Sequence, residues 1–275
     1  VLNWYKKFKP TVVIIAAGKV GGINANASFP ADFILENLKI QTNLIELAWK
    51  SNVKRLLFLG SSCIYPKFSK QPIKEDYLLE NSLEPTNEYY AIAKIAGIKL
   101  CEALNLQYGF DSISLMPTNL YGPGDNYKPN ESHVMAALIK KFSDAKKINS
   151  PSVTCWGTGS PLREFLHVDD LSDAVIFCLK NWHPKNHNSP TYNDGRPLYH
   201  LNVGTGKDLS IKELALTIAN LTNYKGEIIW DKSKPDGTPQ KKLDVSRINK
   251  LGWKHKIKLK DGIEQTIINY REKYQ

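Results

Sequence analysis

Tyr90 and Lys94 stand four residues apart in Asn87-Glu88-Tyr89-Tyr90-Ala91-Ile92-Ala93-Lys94. In a helix that spacing puts both side chains on one face, one turn apart. An ammonium beside a phenol favours the phenolate and lowers a tyrosine pKa from roughly 10 toward the working pH. Tyr90 is therefore a candidate proton donor; Tyr89 is one residue too early for the pairing. Upstream, Leu57-Phe58-Leu59 runs into Gly60-Ser61-Ser62-Cys63, two hydroxyls and a thiol directly after an apolar strand, where an open α/β sheet holds its ligands. A cysteine there can act as a base if a neighbouring cation lowers its pKa, and His133 farther along titrates near neutrality. Taken singly, strand-end serines are commonly turn-formers, a Tyr/Lys pair is commonly a solvated helix face, and a lone histidine is commonly a surface residue.

The elements that must position these groups alternate between strand and helix. Thr11–Ala17 and Val53–Leu59 read as apolar parallel strands, and Phe33–Ser51 between them carries the apolar spacing of a helix packed on a sheet. The proline-punctuated stretch 66–85 reads as a surface loop whose Glu75 and Asp76 are solvated charges. The helix Asn87–Tyr108 follows, then the strand Ile113–Met116, which Pro117 stops, leaving exposed amides beyond it. His133 sits at a helix start capped by Ser132, and Asp169 and Asp170 cap a helix over Leu171–Leu179. Strands at Val153–Gly157, Tyr199–Val203 and Glu227–Trp230, a helix from the Ser210 cap to Leu221, and a final helix Leu259–Tyr270 complete an α/β chain.

Composition narrows the function classes. The 275 residues allow one substantial core, or one domain with a smaller companion, and 42% hydrophobic with 23% charged residues is globular. No apolar run is long enough to span a bilayer and no secretory leader is present, so a cytoplasmic enzyme is expected. Cys63, Cys101, Cys155 and Cys178 form no Cys-x-x-Cys pair, which argues against zinc and disulfides. His183 and His187 have metal-like spacing but no carboxylate or thiol beside them, and are expected in solvent. The sequons at Asn26, Asn130 and Asn220 are then incidental. The net charge of +10 is spread along the chain rather than gathered in one tract. That argues against nucleic acid and suits a cleft for a nucleotide diphosphate.

Gly-Ser-Ser-Cys-Ile-Tyr-Pro-Lys, Tyr-Ala-Ile-Ala-Lys, Ala-Ala-x-Lys-Val-Gly-Gly and Ser-His-Val after Tyr-Gly-Pro-x-Asp-Asn together resemble the GDP-L-fucose synthase family of extended short-chain dehydrogenase/reductases. The resemblance implies a Rossmann-like parallel sheet with a smaller C-terminal α/β substrate domain. The dinucleotide-binding part is expected over 1–122, with 163–182 and 198–204 returning to it, and the substrate part over 123–162 and 183–275. It further implies C3/C5 epimerisation of GDP-4-keto-6-deoxy-D-mannose followed by NADPH-dependent reduction at C4. Ser61, Cys63, Tyr90, Lys94 and His133 take the catalytic roles. Leu59, Gly60, Ser61, Ser62, Tyr90, Lys94, Pro117, Thr118, Asn119, Leu120 and His133 contact NADP(H), with Pro117–Leu120 against the nicotinamide. Lys141, Trp156, Arg163 and Asp236 bind the GDP-sugar, Asp236 accepting from the guanine edge or a ribose hydroxyl unless it is a turn aspartate. A homodimer without metal, joined by helices around 35–50 and 88–108, is the family expectation. No Gly-x-x-Gly-x-x-Gly or Gly-x-Gly-x-x-Gly turn occurs near the start, so the resemblance begins partway into the dinucleotide domain, whose first strands are expected to lie outside this sequence. The alternatives are a nucleotide-sugar 4-epimerase or 4,6-dehydratase of the same superfamily, and a non-catalytic fragment that binds nucleotide sugar.

Overall fold

The computed structural model describes residues 1–129 and 131–275; the Asn130 sequon lies outside the described residues. Along the chain come α1 (Leu2–Phe8), β1 (Val12–Ile15), α2 (Ile23–Ser28), α3 (Pro30–Lys50), β2 (Arg55–Leu59), α4 (Glu88–Tyr108), β3 (Ser112–Pro117) and β4 (Asn119–Tyr121). Then follow α5 (Val134–Lys147), β5 (Ser152–Trp156), β6 (Leu162–His167), α6 (Val168–Asn181), β7 (His200–Val203), β8 (Asp208–Ser210) and α7 (Ile211–Leu221). The chain ends with β9 (Glu227–Asp231), β10 (Gln240–Lys241), α8 (Ser246–Lys250) and α9 (Leu259–Tyr274).

The main sheet has the order β1-β2-β3-β7 and every pairing in it is parallel. A parallel strand covered on both faces needs an unbroken apolar run, and Leu56, Leu57 and Phe58 of β2 are all fully buried. The helix α4 lies so close over β2 that a Cβ on Gly97 would sit 2.7 Å from the Phe58 ring. Glycine at that position sets the helix height, and with it the height of Tyr90 and Lys94 above the end of β2. A second sheet, β10-β6-β4, carries β8 antiparallel on β6, and β5 pairs with β9. Among the described residues no helix is long and apolar enough to cross a membrane.

Two apolar clusters fill the molecule. One lies about the main sheet, and the other gathers α5, α7 and α9 around Phe142, Phe165 and Tyr270. Leu243, Val245, Ile248 and Trp253 join the first cluster, although the sequence boundaries place 183–275 with the second unit.

Several local expectations change. Glu75 is 1% exposed rather than solvated. Its carboxylate accepts from the Asn202 amide at 3.0 Å and from Arg247 at 2.7 Å, and Arg247 also reaches Asp76 at 2.6 Å. Asp169 and Asp170 do not cap α6: His167 does, with Nδ1 accepting from the Asp169 amide, while buried Asp170 accepts from the amides of Lys256 and Ile257. The α5 N-cap is His133, not Ser132, and it makes no side-chain capping bond. His183 is half exposed but held between Asp111 and Arg55. Pro117 does not end the extended chain. Beyond it the Thr118 amide donates to Val203, Thr118 and Asn119 side chains donate to the Glu164 carbonyl, and β4 carries the chain into the second sheet.

Candidate active site

The carboxyl ends of β2, β3 and β7 lie side by side, Gly60 donating its amide to Leu115 and Thr118 to Val203. The site is built there, as expected for an open α/β sheet. After β2 a single 3-10 turn, Ser62–Ile64, is capped by Ser61, whose Oγ accepts from the Cys63 amide at 3.2 Å. This lifts Ser61 and Cys63 toward the cleft and buries Ser62, which is 2% exposed. The Ser61 hydroxyl also bears on both the Tyr90 phenol and the Cys63 thiol.

Tyr90 and Lys94 share a face of α4, with the Lys94 Nζ 5.9 Å from the Tyr90 ring centre. The electrostatics run opposite to the sequence expectation. Burial, with the nearby Cys63 charge, pushes the Tyr90 phenol well above its ordinary value, and the Ser61 hydrogen bond offsets only part of this. Lys94 does not depress it, because its ammonium donates to the Leu59 carbonyl at 2.9 Å and lies over the Phe58 ring rather than beside the phenol oxygen. Lys94 itself is 4% exposed, and burial pushes it down to about 8.

A cation stands against the Cys63 thiol. Burial raises the thiol, but Lys241, whose Nζ is 3.5 Å from Sγ, together with Ser61 and Arg163, outweighs burial and holds it below its ordinary value. Lys241 is a residue that sequence reasoning missed: it lies 178 positions away and no spacing rule connects the two. His133 stands at the open end of the site as the N-cap of α5. The cleft walls, then the Lys241 charge, hold its imidazole below the ordinary value. The loop leading to it is fixed by the Gly22 amide, which donates to Glu131 at 3.0 Å.

The other group lies around Trp156. Its half-exposed ring has Lys141 Nζ at 5.7 Å and Lys234 Nζ at 5.5 Å from its centre, the second a contact the sequence reading did not pick out. Arg163 donates to the carbonyls of Leu162 and Asp236, and as the β6 partner of Lys241 it brings this group against Cys63. The Asp236 carboxylate is taken by the Thr158 amide and hydroxyl at 2.8 Å each. These two hydrogen bonds give it the turn-aspartate role and still leave lone pairs on the carboxylate for a further donor. Leu59, Gly60 and Pro117–Leu120 all lie at the strand ends beside this cleft, Pro117 and Thr118 buried and Asn119 and Leu120 half-buried. Among the described residues no group of His, Cys, Asp and Glu has the arrangement to hold a metal ion.

A dinucleotide cofactor fits what is present. Lys94 is a buried ammonium with a backbone carbonyl as its hydrogen-bond acceptor, and Gly18 faces it so closely that a Cβ there would stand 3.4 Å from Nζ. That arrangement leaves an ammonium and open backbone for a ribose hydroxyl.

Comparison with known proteins agrees with this arrangement. Residues 1–195 match the NAD dependent epimerase/dehydratase family. The chain is 55% identical over 264 residues to probable GDP-L-fucose synthase 1 of Oryza sativa subsp. japonica, covering 96% of this chain and 76% of that protein. It is also 55% identical over 254 residues to GDP-L-fucose synthase of Escherichia coli strain K12, covering 92% and 78%. Among solved structures, the GDP-mannoheptose C4 reductase MlghC of Campylobacter jejuni with NADP bound superimposes with a TM-score of 0.86 at 37% identity, over 98% of this chain and 85% of that one. The family match spans β2 with its serines and thiol, α4 with Tyr90 and Lys94, and the β3–β4 crossing, so the chain belongs to the NAD dependent epimerase/dehydratase family.

Proposed function

We propose that the chain works as a GDP-L-fucose synthase, epimerising GDP-4-keto-6-deoxy-D-mannose at C3 and C5 and then reducing its C4 ketone with NADPH. The observation that carries this reading is a thiol paired with a cation, Cys63 and Lys241 at 3.5 Å, in the same cleft as the Ser61–Tyr90–Lys94 group. A ketone reductase without epimerisation has no need of that thiol.

Carbons next to the C4 ketone are acidified, so inversion requires a group that removes a proton and one that returns it on the opposite face. Cys63 and His133 take these two roles. Ser61 and Tyr90 donate to the C4 oxygen, stabilising the negative charge that gathers there during both epimerisation and reduction. The raised phenol suits this, since Tyr90 keeps its proton until the oxygen needs it. Lys94, with the strand-end residues Leu59, Gly60 and Ser62 and the Pro117–Leu120 crossing, would hold NADPH, which supplies the hydride. Lys141, Arg163 and the Trp156 face receive the GDP moiety, cations for the diphosphate and a ring for the base. Asp236 holds the Trp156 loop in shape through Thr158.

The main-sheet cluster is the dinucleotide-binding unit in this reading and the second cluster the substrate unit. The four cysteines are free thiols, which suits a reducing compartment, and we assign the reaction to the cytoplasm. The apolar residues Leu35, Tyr89 and Ile92, exposed on α3 and α4, support pairing of two copies through those helices. The function is tested by incubating the chain with GDP-4-keto-6-deoxy-D-mannose and NADPH. Formation of GDP-L-fucose with matching NADPH oxidation supports it, and a C4-reduced sugar with unchanged C3 and C5 overturns it.

A further inference from the structure

The groups facing Cys63 come from every element around it. Lys241 reaches it from β10, Arg163 bears on it from β6, Tyr90 from α4 and Ser61 from its own turn. Glu84, which lines the same small pocket, is neutralised by Lys67 at 3.0 Å. His133 faces the cleft from the start of α5 but makes no hydrogen bond to the thiol among the described residues. A cysteine base paired with a histidine commonly draws its counter-charge from the imidazolium. Here the cation in contact with sulfur is a lysine.

Lys241 is not a loosely placed surface side chain. Its strand is clamped from two sides. The Gln71 amide donates to the Gln240 carbonyl at 3.1 Å and accepts from the Lys242 amide at 2.9 Å. On the other side the Leu243 amide donates to the buried Glu164 carboxylate at 2.7 Å, and Lys241 lies in register with Arg163 of β6. Holding the backbone on either side of a lysine fixes where its ammonium can reach and lowers the entropy cost of keeping it at sulfur.

We infer that Lys241, rather than His133, is the positioning residue that supplies the counter-charge of the Cys63 thiolate. The same ammonium also works against protonation of His133. One cation thereby bears on both groups, favouring the charged form of the thiol and opposing the charged form of the imidazole. The inference rests on the epimerase reading of Cys63, but its test needs no turnover.

The chain and its Lys241→Gln, Lys241→Arg and His133→Gln variants are alkylated with iodoacetamide across the neutral to alkaline range. Mass spectrometry of the Cys63 peptide reads the rate, and circular dichroism checks the fold. The expected result is a midpoint raised by about one pH unit or more in Lys241→Gln. Below both midpoints this is about ten-fold slower alkylation. Lys241→Arg keeps a midpoint near that of the parent, and His133→Gln leaves it in place. Should Lys241→Gln fail to fold, Lys241→Met is read in its place. An unchanged midpoint on loss of the Lys241 charge, or a rise in His133→Gln instead, overturns the assignment. Product formation is followed separately: a chain that forms no GDP-L-fucose while its thiol keeps the Lys241 dependence refutes the function and leaves the counter-charge standing.

Discussion

Replacing Lys94 by methionine removes a buried cation while keeping the length of the side chain. Lys94 is 4% exposed and makes no ion pair among the described residues, and burial brings it from 10.5 down to about 8. At 1.36 kcal/mol per pH unit, that displacement corresponds to about 3 kcal/mol by which the cofactor-free fold disfavours the charged form. The unfolded chain holds the lysine proton up to about 10.5 and the fold releases it near 8, so between these values the unfolded chain binds more protons and the fold gains stability as pH rises. The contribution is fully present above 10.5 and is lost as pH falls through 8. Denaturant unfolding of the cofactor-free parent and of Lys94→Met should show their stability difference moving by about 3 kcal/mol across that window, in favour of the parent at high pH. Other titrating groups cancel in the difference. Turnover with NADPH should fall about 100-fold or more in the same variant. A stability difference that does not change between those pH values would refute the claim that Lys94 is a strained, buried cation kept for a ligand.

Three further outcomes follow from the geometry. Trp156→Ala removes the exposed ring between Lys141 and Lys234, and steady-state kinetics should show KM for the GDP-sugar rising about ten-fold or more with kcat little changed. Glu164→Ala deprives the amides of Leu243, Gly206 and Thr205 of a fully buried acceptor. Thermal unfolding should register a loss of about 3 kcal/mol, and the freed Lys241 strand should lower kcat as well. Gly97→Val forces a side chain into the Phe58 ring and Gln41, and despite a better helix propensity the variant should unfold about 2 kcal/mol more easily.

The parts of this molecule that local chemistry dictates were readable in the sequence. The unbroken apolar run of β2, the periodicity of α3 and α4 and the Ser210 cap all fold where the residue pattern puts them. The i,i+4 spacing placed Tyr90 and Lys94 on one face, but spacing carries no information on burial. Burial, not the neighbouring ammonium, decides the sign of the Tyr90 displacement. Glu75 looked like a loop charge because its partner Arg247 is 172 residues away, and Lys241 escaped notice for the same reason. Pro117 reads as a strand terminator, yet the chain crosses there from one sheet to another and remains extended. Each of these departures depends on which distant segments meet, and composition and period do not report that.

The central claim is that Cys63 moves protons at the carbons beside the C4 ketone. It is tested most directly by running the reaction in deuterium oxide with the parent chain and with Cys63→Ser, and reading C3 and C5 of the sugar by NMR. The account predicts deuterium at both carbons with the parent chain, and its loss in Cys63→Ser while NADPH binding persists. Undiminished deuterium incorporation in Cys63→Ser would contradict it.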